Sequence, residues 1–489
     1  TDPPMSKIIK KPSLLDAITP VVILITMLAG TVYVFGLDSF GPNQVALIMA
    51  AAVAAMIGIK NGHSWKEIEQ GMIDTIAVSL QSLLILLMVG ALIGSWILSG
   101  TVPSMIYYGV QLMSPDYFYL TACLVCALLG FSIGSSWTVA GTLGIGLMGI
   151  AAALDLSLAA SAGAIISGAY FGDKLSPLSE TTNLAAAVTS NNLFDHIQHM
   201  LWTTIPGFLI TLVLFFILGI GSGTNLVIDD IETLQAAMQE TFKISPLMLI
   251  PMILLLTMAV KKLPALSTLI CGTLAGCLFA AVFQWDTVIA LANDSSLNEG
   301  AAVFKGLFSS MFLGYSSDTG NASLDALLSK GGMSSMLTTI GLVINAMAFG
   351  GAMRRTGLLE RLVEAALSRV KSAGDLIVAT VGTCIGTNLL AADQYLSIVI
   401  PGQMFVKSYE ERQLSTINLA RTLEDSGTLT SALVPWNTCG VYMSATLGVS
   451  TFMYAPFAFF NILCPIIAVI YGYSQIALQE HRPATDKQA

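Results

Sequence analysis

Three stretches of this chain, residues 18–35, 76–98 and 205–220, contain no charged side chain and have about the length a helix needs to cross a hydrocarbon layer. In lipid every backbone N–H and C=O must find its partner inside the chain, so such runs fold as helices. Hydrophobic residues make up 55% of the 489, and charged residues 10%, against about 25% in a soluble protein. The expected class is therefore an all-α polytopic membrane protein embedded in a lipid bilayer. The net charge of −9 comes mainly from acidic loops, and no Lys/Arg cluster is wide enough to track phosphates, so no nucleic-acid partner is expected. No Ser-His-Asp, HExxH or nucleotide-binding run suggests an enzyme. Cys123 and Cys126 form a C-x-x-C on an apolar helix without a second pair. Small packing residues are expected there rather than zinc or redox chemistry, and no cofactor is expected.

Two stretches resemble each other at a constant offset. Gly130-Phe-Ser-Ile-Gly134-Ser-Ser136 matches Gly382-Thr-Cys-Ile-Gly386-Thr-Asn388, 252 positions on, and the same offset sets Asp173 on Asp425. Upstream, Gly94 and Gly100 recur as Gly351 and Gly357 at an offset of 257. Duplicated, interrupted apolar segments point to the substrate site of a secondary transporter.

The apolar pattern divides the chain into a tail (1–13), two spans (14–75), a first repeat (76–199), connecting spans (200–332), a second repeat (333–447) and a last span with its tail (448–489). Thr1-Asp-Pro-Pro4 reads as an added extension and Lys7, Lys10 and Lys11 precede a spanning run, so no cleavable signal is expected. Within the repeats the expected hairpin legs are 118–134 with 137–153 and 373–386 with 389–406, followed by broken spans at 157–189 and 418–447. A span is also expected at 246–260. The total is about 10 full spans plus two hairpins. Loop 101–116 has no Lys or Arg, whereas 354–371 contains Arg354, Arg355, Arg361, Arg369 and Lys371. Loop 153–158 has none either, while 407–421 has Lys407, Arg412 and Arg421. By the positive-inside rule the two copies face opposite ways and both termini are cytoplasmic. The duplication is expected to be inverted.

Carboxylates at membrane depth mark function by default, and four qualify: Asp173, Glu180, Asp393 and Asp425. In Gly172-Asp-Lys-Leu-Ser-Pro-Leu-Ser-Glu-Thr-Thr-Asn183, Pro177 cannot bond back to the carbonyl of Asp173, so the helix breaks. That gathers oxygens of Asp173, Ser176, Ser179, Thr181 and Thr182, the ligand type hard cations take. The alternative is a surface loop with Lys174 paired to Asp173. In the second copy Asp425, Thr428, Thr430, Asn437 and Thr438 surround Gly427 and Pro435 in the same way; helix–helix bonding is the alternative for Asn437 and Thr438. Asp393 is apolar on both sides, with Gly141 as its counterpart. A buried carboxylate holds a proton unless a cation compensates it, and mutual exclusion of Na+ and H+ at one carboxylate is the minimal physics of antiport. Ser135, Ser136, Thr387 and Asn388 sit at the expected hairpin tips, and Asp173, Asp393 and Asn388 are the expected Na+ ligands. His196 and His199 are expected at the cytoplasmic interface, where a pH-sensing pair is the alternative.

The runs Gly134-Ser-Ser-Trp-Thr138, Gly168-Ala-Tyr-Phe-Gly-Asp-Lys-Leu-Ser-Pro-Leu-Ser-Glu-Thr-Thr-Asn-Leu-Ala185 and Gly386-Thr-Asn-x-x-x-x-Asp393-Gln-Tyr-Leu-Ser resemble the NhaC family of bacterial Na+/H+ antiporters. The resemblance covers residues 14–475. It implies a bacterial inner membrane location and an inverted-repeat ion-transporter fold with two hairpins and two unwound helices. The site it implies comprises Ser135, Ser136, Asp173, Thr387, Asn388 and Asp425. It also implies two further possibilities for such a chain, exchange of malate and lactate with Na+ and H+, or Na+-coupled amino-acid transport. No arginine is expected at membrane depth to clamp a carboxylate substrate, Arg421 included, which favours Na+/H+ antiport over a small organic anion or amino acid. Folds of this kind allow a homodimer. Segment 302–332 reads as an external amphipathic element or an interface.

Overall fold

The structure, a computed structural model, describes residues 9–35, 40–221, 228–319, 322–368 and 370–480. Thr1–Pro4, Lys7, Arg369, Arg482 and Lys487 lie outside these, as do the side chains of Asp229 and Asp230. Among the described residues the fold is all-helical, its only strand-like pairing an isolated bridge between Leu414 and Glu480. Among the described residues nine helices are long and apolar enough to cross a membrane, or up to 11 if two bent pairs count as spans. Outward faces are apolar, as on the helix Leu193–Gly219 with Ile210, Val213 and Ile217 exposed, the pattern of a surface solvated by lipid.

The chain opens with α1 (Leu14–Phe35), α2 (Phe40–Lys60) and the short amphipathic α3 (Trp65–Val78). Helix α3 begins in a capping box between Ser64 and Glu67, and it packs with α2 against α18 (Met333–Arg355). Ser79 ends α3 within the expected span 76–98, so that span is α4 (Leu80–Leu98) alone. Then come α5 (Thr101–Leu112), α6 (Phe118–Ile133), α7 (Ser136–Val139) running through a five-residue π turn into α8 (Ile145–Ala153), α9 (Leu158–Leu175), α10 (Glu180–Val188) and α11 (Leu193–Gly219). The connecting region holds α12 (Ile228–Thr241), α13 (Ile250–Val260), α14 (Ala265–Phe283), α15 (Trp285–Ala292), α16 (Glu299–Phe312) and α17 (Ala322–Leu328). The expected span 246–260 is shorter than a membrane crossing, and its axis turns by 83° from Glu232–Thr241 before it. Within segment 302–332 the helices are the end of α16 and α17, with α16 packed on α4 and α15.

After α18 come α19 (Leu358–Leu367), α20 (Ala373–Leu390), α21 (Gln394–Glu411), α22 (Thr416–Leu423), a π turn at Glu424–Thr428, α23 (Leu429–Ser431), α24 (Thr438–Leu447), α25 (Thr451–Tyr454) and α26 (Phe459–Ser474). The second hairpin does not turn at Gly386. Helix α20 runs on to Leu390, and the chain reverses at Ala392 (φ 55°) and Asp393. Neither Gly382 nor Gly386 has positive φ, and nothing approaches their missing side chains, so neither glycine is required by a turn. Legs of 16 to 18 residues extend roughly 24–27 Å at about 1.5 Å per residue, close to the hydrocarbon thickness.

This shift changes the register of the expected duplication. Backbone features recur at an offset of 258, the distance from Gly134 to Ala392, both left-handed. The helix caps Ser135 and Asp393, Ser157 and Ser415, and Ser179 and Asn437 keep that spacing. So do the left-handed residues Asp155 and Gln413, and Ser190 and Gly448, and the prolines Pro177 and Pro435. Asp173 therefore aligns with Ser431 rather than Asp425, and Asp393 with Ser135 rather than Gly141. The 252 match followed a short glycine motif, whereas caps and turns mark where the backbone is interrupted.

Candidate functional site

Helix α9 reaches the site because it lies almost in contact with α6. A Cβ at Gly168 would sit 2.1 Å from the Cys123 carbonyl, and one at Gly172 2.2 Å from that of Ala127. Small residues permit this approach in lipid, and it explains Cys123 and Cys126, both buried free thiols. At the end of α9 the chain breaks at Ser176, whose hydroxyl accepts the Leu178 N–H at 3.3 Å, and restarts at Ser179.

Four helix N-termini meet around one cavity of ≈ 450 Å³. They belong to α7, α10, α21 and α24, whose caps Ser135, Ser179, Asp393 and Asn437 accept the N–H groups of Thr138 (3.2 Å), Thr182 (3.4 Å), Leu396 (3.0 Å) and Cys439 (3.0 Å). The first turns supply the wall, in pairs related by the 258 offset: Ser136 with Gln394, Trp137 with Tyr395, Glu180 with Thr438, and Thr181 with Cys439. The N-terminal ends of helices carry positive potential, and carboxylates settle there.

Asp173 supplies the charge. Its Oδ2 accepts the Ser136 N–H at 2.9 Å. Its Oδ1 is buried without a hydrogen-bond partner, and the hydroxyls of Ser136 and Ser179 lie beside the carboxylate. Asp173 also lines the cavity, so a partly dehydrated cation entering there would meet carboxylate and hydroxyl oxygens. Glu180 is exposed to the cavity and accepts the Tyr395 hydroxyl at 2.6 Å, which ties the α10 break to the tip of the second hairpin.

Behind the cavity lies a dry network that sequence reasoning did not anticipate. Lys174 is fully buried and donates to Asp425 Oδ1, not to Asp173. Thr203 donates to the same oxygen at 2.9 Å. Asp425 is thus an ion-pair partner set one layer deeper. Glu424 was overlooked although an acidic pair inside an apolar stretch was the available signal; it too is fully buried and takes the Thr428 hydroxyl at 2.9 Å. Arg421 is enclosed by protein, with Nη1 donating to the Ala477 carbonyl at 2.9 Å. His196 and His199 are buried within the protein, and His199 Nε2 lies 3.1 Å from Asn418 Oδ1.

Of the other expected residues, Asn388 and Asn437 brace the second hairpin to the second break. Asn388 Nδ2 donates to the Gly427 carbonyl at 2.8 Å and Thr430 Oγ1 at 3.0 Å, while Asn437 Nδ2 donates to Asn388 Oδ1 at 3.0 Å. Asp393 is buried beneath the cavity as the cap of α21. Thr387 lies elsewhere, on a groove between α19 and α20 with Gly382 and Gly386, and its hydroxyl bonds the Thr383 carbonyl of its own helix.

Residues 168–476, which include both breaks and the second hairpin, match the family model described as the Na+/H+ antiporter family. The chain is 36% identical over 445 residues to the Na(+)/H(+) antiporter NhaC of Alkalihalophilus pseudofirmus, covering 91% of this chain and 93% of that one. It is 36% identical over 435 residues to the malate-2H(+)/Na(+)-lactate antiporter of Bacillus subtilis, with 88% and 89% covered. It is 35% identical over 469 residues to the arginine/ornithine antiporter ArcD of Halobacterium salinarum, with 95% and 93% covered. The chain belongs to the Na+/H+ antiporter family.

Proposed function

We propose that the chain exchanges Na+ for H+ across the bacterial inner membrane by alternating access, the two ions competing for Asp173. The observation that carries this reading is the Asp173 carboxylate, with one oxygen held by the Ser136 N–H and the other unpartnered at a cavity wall. A cation entering from water gives up part of its hydration shell and needs anionic and hydroxyl oxygens in return. A proton on the same carboxylate removes the charge that offsets that loss. Occupancy by one ion therefore excludes the other. Asp393 and the Asn388–Asn437 brace act as positioning elements for the tip opposite.

Contacts at the two ends of the helices support an inverted arrangement with cytoplasmic termini. Lys10 N donates to the Asn61 carbonyl at 2.8 Å, Lys11 pairs with Glu364 on α19, and Ser415 N donates to the Gln479 carbonyl at 2.9 Å. Tyr107 of α5 instead meets Gln235 and Gln239, and Asp116 meets Gly221. Thus α19, after α18, keeps company with the terminal segments, while α5, after α4, sits with α12. With Lys/Arg-rich segments inside, the first grouping is cytoplasmic.

The experiment is Na+-driven proton movement in proteoliposomes containing the purified protein. Adding Na+ outside should shift lumenal pH without any organic solute; no shift at any pH tested contradicts the proposal. A second reading, coupled transport of a small organic acid or amino acid, is favoured by the cavity's ≈ 450 Å³ and by Trp137 and Tyr395 in its wall. A ligand that binds only the folded state raises the melting temperature. Stabilisation by malate, lactate or arginine that requires Na+ would support this second reading, and its absence would count against it.

A further inference from the structure

We infer that Trp137 and Tyr442 form the seal that keeps ion exchange coupled, by closing a thin dry septum between two cavities at opposite ends of the same three helices. The inference rests on the antiport reading only for the word coupled; the septum itself is a matter of geometry. One cavity is the site already described, with Lys262 in its wall. The other, of ≈ 500 Å³, is lined by Tyr315, Lys330, Ser335 and Thr446 among others.

Three helical segments contribute to both cavities. On α4, Ile85 lines the first and Ile93 the second; on α7–α8, Thr138 and Ile145; on α24, Cys439 and Ala445. At about 1.5 Å per residue these separations correspond to roughly 9–12 Å of helix. That is the thickness of the barrier. Between them lie Val89, Val139, Ala140, Val441, Tyr442 and Met443, all essentially without exposure. Besides the tyrosine hydroxyl, the hydroxyls in this layer are those of Thr142, which is buried and donates to the Thr138 carbonyl at 2.7 Å, and Ser444, and none of the three side chains carries charge.

Tyr442 closes the layer. Its ring stacks on Trp137 with centroids 4.1 Å apart and planes 10° apart. Its hydroxyl donates to the Trp137 carbonyl at 2.8 Å, which also accepts the Ala140 N–H where the helix passes into the π turn at Ala140–Gly144. Gly141 makes room: a Cβ there would lie 2.5 Å from the Tyr442 hydroxyl oxygen. Since Trp137 follows Ser136, which holds Asp173, the seal is fastened to the same tip as the cation site. A movement of that tip changes both together, which is what obligatory exchange requires of a gate.

The test is passive proton leak down an imposed pH gradient, in Na+-free proteoliposomes, for wild type, Tyr442→Ala, Tyr442→Phe and Gly141→Ala. Opening the septum should raise the leak of Tyr442→Ala by about tenfold or more, equivalent to about 1.4 kcal/mol off the barrier. Gly141→Ala, which displaces only the end of one side chain, should leak in the same direction, so the inference stays testable if Tyr442→Ala does not fold. Tyr442→Phe keeps the stacked ring and should remain close to wild type. Wild-type leak in both Tyr442→Ala and Gly141→Ala, or in Gly141→Ala alone if the other cannot be purified, overturns the inference. Because the assay contains no Na+, it is independent of the antiport reading, which fails instead if wild type moves no protons when Na+ is added.

Discussion

The Ser136 N–H donates to Asp173 Oδ2 at 2.9 Å, joining the tip of the first hairpin to the end of α9, where Asp173 lines the cavity with its Oδ1 buried and unpartnered. Those two residues are 37 apart in the chain. They meet because Gly168 and Gly172 let α9 lie against α6, so the polarity of the site depends on packing between small residues.

The glycines of the two repeated motifs should respond in opposite ways. Gly134 has φ 72°, and a Cβ there would sit 2.7 Å from the Leu178 carbonyl carbon. Gly134→Ala should cost about 1–2 kcal/mol from the left-handed backbone alone, and should lower both melting temperature and transport. Gly386 has ordinary φ and open space around it, so Gly386→Ala should be neutral or stabilising by up to about 1 kcal/mol. Equal effects in thermal denaturation would contradict the placement of the two turns.

The Lys174–Asp425 pair is fully buried. Removing one partner leaves an uncompensated charge, at about 3–5 kcal/mol. Lys174→Met and Asp425→Leu should each lower the melting temperature sharply, and the double variant should recover much of the loss. Single variants as stable as wild type would show that the pair is solvated.

Asn388 bonds both the Gly427 carbonyl and Asn437 across the second break. Asn388→Ala removes that brace without touching Asp173. Transport assays should show Na+ half-saturation rising several-fold while the protein still responds to Na+. A complete loss of transport with stability unchanged would instead make Asn388 a direct ligand.

The class and most of the helices were legible because lipid enforces them: runs such as 18–35 admit only a helix. The breaks at Pro177 and Pro435 were legible from proline chemistry, and Asp173 from a carboxylate beside such a break. The second hairpin was misplaced because its turn uses Ala392 and a capping Asp393, neither of which announces a left-handed residue, while Gly382 and Gly386 mimic the motif at the first tip. Asp425 looked like a cation ligand because its partner Lys174 stands 251 residues away. The partner of Arg421 was not legible because it is a backbone carbonyl at Ala477, which no side-chain pattern encodes.

The most direct test of exclusive occupancy at Asp173 is proton release on Na+ addition to purified protein in weakly buffered detergent solution. Near and below the pH at which half of the sites hold a proton, wild type should release protons as Na+ binds, and Asp173→Asn should release none. Undiminished release from Asp173→Asn, or Na+ binding to wild type without any release across the pH range, would contradict the account.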